Sequence, residues 1–115
     1  MVIINETSHG KVFKCSTCHK YHVEYKNINF NFSEEQLEQF IDYLGKFDFE
    51  DSIEVNKESP YHRKIMLSVK HLYCNLLFHK HEILELYDLL THEKHDLKPE
   101  DVMFLNGLGI KQYNN

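Results

Sequence analysis

This chain of 115 residues holds only four glycines and one arginine, so it is poor in the residues most often used to bind phosphate. Two of the glycines sit in "NGLG" at 106–109, where no strand-to-helix turn follows, so no glycine-rich phosphate cradle can be built. Basic charge is also in deficit. The net charge is −5, and residues 1–57 set 6 Lys against 10 Asp and Glu. The remainder sets 7 Lys and Arg against 8 acids, so neither half offers the basic stripe that phosphate neutralisation needs. Nucleic acid and anionic membrane surfaces are therefore not expected partners. No apolar run approaches the roughly 18 residues of a spanning helix. The opening "MVIINETSHGK" lacks a basic segment followed by a long apolar one, so a secretory signal is not expected and the cytoplasm is the expected compartment. No nucleophilic triad or catalytic carboxylate dyad can be assembled, and the chain reads as a non-enzymatic binding domain.

What is present is a globular composition, 42% hydrophobic and 27% charged, at a length suited to one domain over 1–115. Cysteines number three, an odd count, and two form Cys15-Ser-Thr-Cys18. In a reducing compartment that spacing reads as metal or redox chemistry, not as a structural bridge. Nine histidines make the net charge steeply pH-dependent just below neutrality.

Residues 11–14 and 21–25 alternate as the arms of a hairpin, with Cys15 to Cys18 at its tip. "NINFNF" (27–32) alternates strictly, Ile28, Phe30 and Phe32 facing one way and three asparagines the other. Ser33-Glu-Glu-Gln36 is a capping box, and Leu37, Phe40, Ile41 and Leu44 form the apolar stripe of a helix over about 33–45, with Gly45 at the C-terminal cap. The acidic stretch 46–62 reads as a connector in which Ile53 and Val55 pin a short extended piece. A second hairpin follows, from Ile65, Leu67 and Val69 to 73–78. Cys74 is in phase with Leu76 and Phe78 and is expected to face the core as a small hydrophobe. A second, more buried helix over about 80–94 carries Ile83, Leu86, Tyr87 and Leu90, and Pro99 opens a short helical segment through 105. His92 and His95 share a face at the end of the second helix, where the helix dipole favours histidine.

Sliding the first half by 46 positions places Phe32 on Phe78, Phe40 on Leu86, Asp42 on Asp88 and Leu44 on Leu90. The expected architecture is an α+β layer. It has an antiparallel sheet of two hairpin-plus-helix units, about 9–45 and 62–94, with both main helices on one face and an internal pseudo-repeat.

The stretches "CSTCHKYHVEYKNINFNFSEEQLEQF" and "HRKIMLSV…LLFHKHEILELYDLL" together resemble a family of small bacterial proteins of unknown function. The resemblance spans about 9–92, and its sharpest elements are Cys15, Cys18, Asn27, Arg63-Lys64 and Glu85-Leu86. It departs at His9, where a turn-forming Asn is expected, and in lacking a cysteine before Cys15. It implies the fold and the salience of the C-x-x-C motif, and no activity.

Cys15 and Cys18 are candidate zinc ligands, since a hairpin tip lets two thiolates converge on one ion while nearby amides donate to sulfur. Further ligands are sought among His9, His19, His22 and His62. In a straight strand His22 would lie roughly 13 Å beyond Cys18, and His9 roughly 20 Å before Cys15. His19 is expected to point to the opposite face. The missing donors must then come from a bend in the chain, from His62 and its neighbours or from another subunit. Two other readings of the cysteine pair stay open: a metal-free thiol pair, and a redox pair that lacks the helix N-terminus used by thioredoxin-type motifs. Arg63 with Lys64 is a candidate anion clamp; the plainer reading pairs Arg63 with Asp48, Glu50 or Asp51. The expected partner is another protein or a second copy of the chain.

Overall fold

The structure, a computed structural model, describes residues 1–91. Strands β1 (Val2–Thr7), β2 (Gly10–Lys14), β3 (Tyr21–Tyr25) and β4 (Ile28–Phe32) form an antiparallel meander in that order. β5 (Ile65–Val69) and β6 (Cys74–Phe78) form a separate antiparallel pair. Three helices accompany them: α1 (Glu34–Lys46), α2 (Phe49–Asn56) and α3 (Lys80–Thr91). The α+β class holds, with the strands divided between two sheets. Residues 92–94 of the expected second helix, the segment at 99–105, and His92 and His95 lie outside the described residues.

Strand register sorts the side chains. Val12 pairs with Val23 and Val23 with Phe30, and this row faces the helices; Val12 and Val23 are buried. The next row, Phe13, His22 and Asn31, is displaced by one residue and so lies on the opposite face. α3 is the centre of the molecule. It packs on β1, β2, β6 and α1, and it buries Ile83, Leu86, Leu89 and Leu90, whereas α1 buries Leu44 alone. Gly10 lets α3 come close. A Cβ there would sit 2.5 Å from the Glu24 carbonyl oxygen and 2.9 Å from Leu89 Cδ2.

The capping box of α1 forms as the sequence indicates. Gln36 N–H donates to Ser33 Oγ at 3.1 Å, and Ser33 N–H donates to Gln36 Oε1 at 2.9 Å. The helix does not stop at Gly45. It runs to Lys46 with Phe47 as its cap, and Gly45 lies against Tyr87 instead. The shift of 46 recurs in the fold, since β6 occupies the positions of β4 moved by 46 and α3 starts 46 after α1.

Further features differ from the sequence expectations. The sequence pattern marks no strand before Gly10, yet β1 is an edge strand with a bulge between Ile3 and Asn5, and Asn5 Nδ2 donates to the Leu89 carbonyl at 3.0 Å. The supposed connector contains α2, where Asp48 caps Asp51 N–H at 2.9 Å and the acidic first turn suits the helix dipole. Ile53 packs on the core as a helical residue, while Val55 is exposed. Cys74 is exposed together with its neighbours at the β5–β6 tip, where Leu72 is 70% and Tyr73 99% accessible, and the strand becomes covered only from Leu76 to Phe78. Among the described residues no helix is long and apolar enough to cross a membrane.

Candidate metal centre

The β2–β3 hairpin brings its arms together through the pair Lys14 and Tyr21, and six residues, 15–20, close the tip. Cys15 N–H donates to the Lys20 carbonyl at 3.1 Å, and His19 adopts a left-handed φ of 57°. This turn folds Cys18 back over the first residues of β3. Cys18 Sγ lies 3.3 Å from His22 Nε2, and the donor atoms of Cys15, Cys18 and His22 all lie within 4.8 Å of one another. The straight-strand separation of roughly 13 Å is thereby corrected: residues 18–20 are not extended, so His22 reaches the cysteines. A tetrahedral zinc ion bonded at about 2.3 Å to sulfur and about 2.0 Å to nitrogen holds its ligand atoms roughly 3.5 to 3.8 Å apart. The Cys18–His22 pair is already at that separation, and the rest of the set closes by about 1 Å or less.

The environment also suits a ligand set. His22 lies between Phe13, whose ring stacks at 5.2 Å between centroids, and Asn31, whose Oδ1 is 2.6 Å from Nδ1. A carbonyl oxygen can only accept, so Nδ1 carries the proton and Nε2 presents its lone pair to Cys18. Asn31 is oriented in turn: its Nδ2 donates to Asn29 Oδ1 at 3.0 Å, and Asn29 donates to the Val23 carbonyl at 3.2 Å. The sulfur of Cys15 contacts the Thr17 hydroxyl at 3.1 Å and accepts from the Cys18 amide at 3.4 Å. The Thr17 hydroxyl, then the Cys18 thiol and the amides of Cys18 and Thr17, hold the Cys15 thiol down at about 6, so the thiolate needed for coordination is favoured near neutrality. Sequence reasoning missed Asn29 and Asn31 as supports. The available signal was their alternation on the wet face of the strand beside β3.

The other candidate residues lie elsewhere. His19 shapes the tip by its backbone. His9 Nδ1 is 3.0 Å from Glu85 Oε1. His62 packs edge-on against His79, with ring centroids 4.9 Å apart. Lys64 donates to the Ser59 carbonyl at 2.7 Å. Arg63 pairs with Glu82, not with Asp48, Glu50 or Asp51; its Nε donates to Oε1 at 2.7 Å and an Nη to Oε2 at 3.3 Å.

Glu82 belongs to a buried charged seam. It and Glu85 are each 2% exposed, one turn apart on α3. Lys26 Nζ, at 2.5 Å, and the His79 amide, at 2.7 Å, also donate to Glu82, and Tyr25 donates to Glu85 at 2.9 Å. Burial pushes the Glu82 carboxyl up, but the hydrogen bonds from Arg63, the His79 amide and Lys26 outweigh it and hold the group at about 2. Burial, with Glu85 as acceptor and neighbouring charge, drives the Tyr25 phenol well above its ordinary value, so it stays a donor.

A family of unknown function (DUF6686) matches residues 1–111. The chain belongs to that family. No curated protein and no solved structure matches it. The family assignment agrees with the sequence resemblance and brings no activity with it, so the chemistry of the site rests on the hairpin tip itself.

Proposed function

We propose that the protein is a small, non-enzymatic interaction domain whose β2–β3 hairpin tip is a zinc knuckle, with Cys15, Cys18 and His22 as ligands. The observation that carries this reading is the convergence of three donor atoms within 4.8 Å, with His22 held in the metal-binding tautomer by Asn31. Two thiolates and one neutral imidazole balance the charge of a divalent ion. Soft sulfur with imidazole selects zinc over the hard cations, which prefer oxygen. Three ligands leave one tetrahedral position for water or for a donor from a partner. The partner is a protein or a second copy of the chain; the net charge of −5 argues against nucleic acid and anionic membrane. A reducing cytoplasm suits three free cysteines.

The test is the metal content and thiol count of protein purified without chelator. The expected result is about one equivalent of zinc that shields two thiols, with metal removal lowering the melting temperature, because metal-binding free energy contributes to folding free energy. Cys15→Ser combined with Cys18→Ser should abolish both effects. Protein that takes up no zinc and melts identically with and without it refutes the knuckle.

One observation favours a second reading, a thiol switch: the sulfur of Cys15 lies against the Thr17 hydroxyl and accepts from the Cys18 amide, beside the second thiol. In that case a peroxide would take two electrons and two protons from the two thiols, be reduced to two waters or to an alcohol and one water, and leave a disulfide. Metal-free protein that loses two thiols to mild peroxide, with Cys74 unchanged, would select it.

A further inference from the structure

A cleft of about 280 Å³ opens beside the seam, where the β3–β4 turn meets the approach to β5. Tyr25, Lys26, Ile28, Arg63 and Phe78 line it together with the buried carboxylate of Glu82. Its volume is close to the lower limit of roughly 300 Å³ for small-molecule sites. Its two cations are not fully used. Arg63 gives two of its guanidinium N–H groups to Glu82, and Lys26 gives one of its ammonium N–H groups. Lys26 Nζ also lies 5.8 Å from the centroid of the Tyr25 ring, but among the described residues no other oxygen or nitrogen acceptor takes the remaining N–H groups, and the Arg63 and Lys26 side chains stay 42% and 34% exposed.

The charges around the cleft do not cancel, since one carboxylate faces two cations. Glu85, the next carboxylate along α3, does not line the cleft and is engaged by Tyr25 and His9. Glu82 therefore holds an ammonium and a guanidinium side by side, with one positive charge in excess and N–H groups to spare. This arrangement favours an anion with two or three oxygens, since a guanidinium fork matches carboxylate and phosphate geometry. The apolar wall of Ile28 and Phe78 favours an apolar body attached to that anion. Among the described residues Lys26 is also one of three non-glycine residues at positive φ (54°), in the turn that carries its side chain to Glu82.

We propose that this cleft binds a small ligand that carries an oxyanion, a carboxylate or a phosphate ester, on an apolar body. Lys26 and Arg63 grip the oxyanion, Glu82 fixes the two cations, and Ile28 and Phe78 contact the body. The site is separate from the hairpin tip and does not depend on metal there.

The experiment titrates the full isotope-labelled chain with benzoate, with phenyl phosphate and with inorganic phosphate, following amide resonances by NMR. Saturable shifts confined to 25–28, 62–63 and 77–82 with benzoate or phenyl phosphate are the expected result, and the tighter of the two identifies the oxyanion. Lys26→Met retains the Arg63–Glu82 pair and so the fold, and it should weaken binding about tenfold or more. Arg63→Gln should do the same where its spectrum stays native. The absence of saturable shifts with both aromatic probes at millimolar concentration overturns the proposal. So does native-like Lys26→Met protein that binds as tightly as the parent. Inorganic phosphate binding as tightly as phenyl phosphate overturns the assignment of an apolar body.

Discussion

α1 and α3 start 46 residues apart and begin with the same device, yet they end up in opposite environments. In each, the side chain three residues past the cap reaches back to the cap amide: Gln36 to Ser33 at 2.9 Å, and Glu82 to His79 at 2.7 Å. Gln36 does this in solvent, at the end of a helix that buries one residue. Glu82 does it in the core, where the same carboxylate also holds Arg63 and Lys26. The local motif determines where a helix begins. Whether its capping side chain becomes a surface contact or a charged hub is decided by what packs over it, here a strand approach and a turn from two different sheets.

The largest expected effect tests that asymmetry in the apolar core. Leu86 is fully buried on α3, and Leu86→Ala should cost roughly 2 to 5 kcal/mol. Leu37→Ala, on the half-buried stripe of α1, should cost less than half as much. Denaturant midpoints of the two variants check this, and equal losses would mean that α3 is not the keystone.

A smaller effect separates the two capping side chains by charge. Glu82→Gln gives α3 the residue that α1 uses and should cost about 2 to 3 kcal/mol near neutrality, since Arg63 and Lys26 lose an ionised acceptor but still reach water. Its pH dependence has a definite sign. The folded carboxyl titrates at about 2, below the roughly 4.3 of an unfolded Glu. Its contribution is therefore complete above that unfolded value and is lost as pH falls through the folded one. The gap between parent and variant, measured by denaturation from pH 6 downward, should be constant and then close on the acid side. A gap that is unchanged at low pH would show that Glu82 does not act as a carboxylate.

The sequence made most of this frame legible where the signal was local. The alternation around Cys15 and Cys18, the strand at Ile28–Phe32 and the capping box at Ser33 all depend on neighbours within a few residues. Legibility failed where a distant or unusual backbone feature decided the outcome. His22 is a candidate from the sequence, but it comes within reach of the cysteines only because the tip is not extended and His19 takes a left-handed conformation that its residue type does not announce. α2 was hidden by an acidic composition suggestive of a loop, although Asp48, Glu50 and Asp51 were there to be read as a cap and a dipole-matched first turn. Phase assigned Cys74 to a face but could not show that the face ends before the hairpin does. Glu82 and Glu85 gave no sign of burial, since their side-chain partners lie 19 to 76 positions away.

The asparagine relay at the hairpin tip extends the comparison to the metal centre, where exposed amides orient His22 much as buried cations hold Glu82. Asn31→Ala removes the acceptor that fixes the His22 tautomer and leaves all three ligands in place. On the knuckle reading it should weaken zinc about 10- to 100-fold while the metal-free protein melts nearly as before. Competition against a chromogenic chelator measures this; unchanged affinity would remove Asn31 from the site.

The smallest expected effect returns to the surface cap. Ser33→Ala leaves the Gln36 amide without its acceptor, but that amide is exposed to solvent and water can replace the hydroxyl. The cost should be on the order of 1 kcal/mol, visible as a modest drop in denaturant midpoint with an unchanged slope. Ser33→Asp should recover most of it, since a carboxylate both caps and favours the positive end of the helix. The His79 position has no cap-removal counterpart, because there the N3 carboxylate meets the cap through its backbone amide alone. His79→Ala should therefore cost less than Ser33→Ala. If it costs more, the ring of His79, packed against His62 and His81, is what anchors the start of α3.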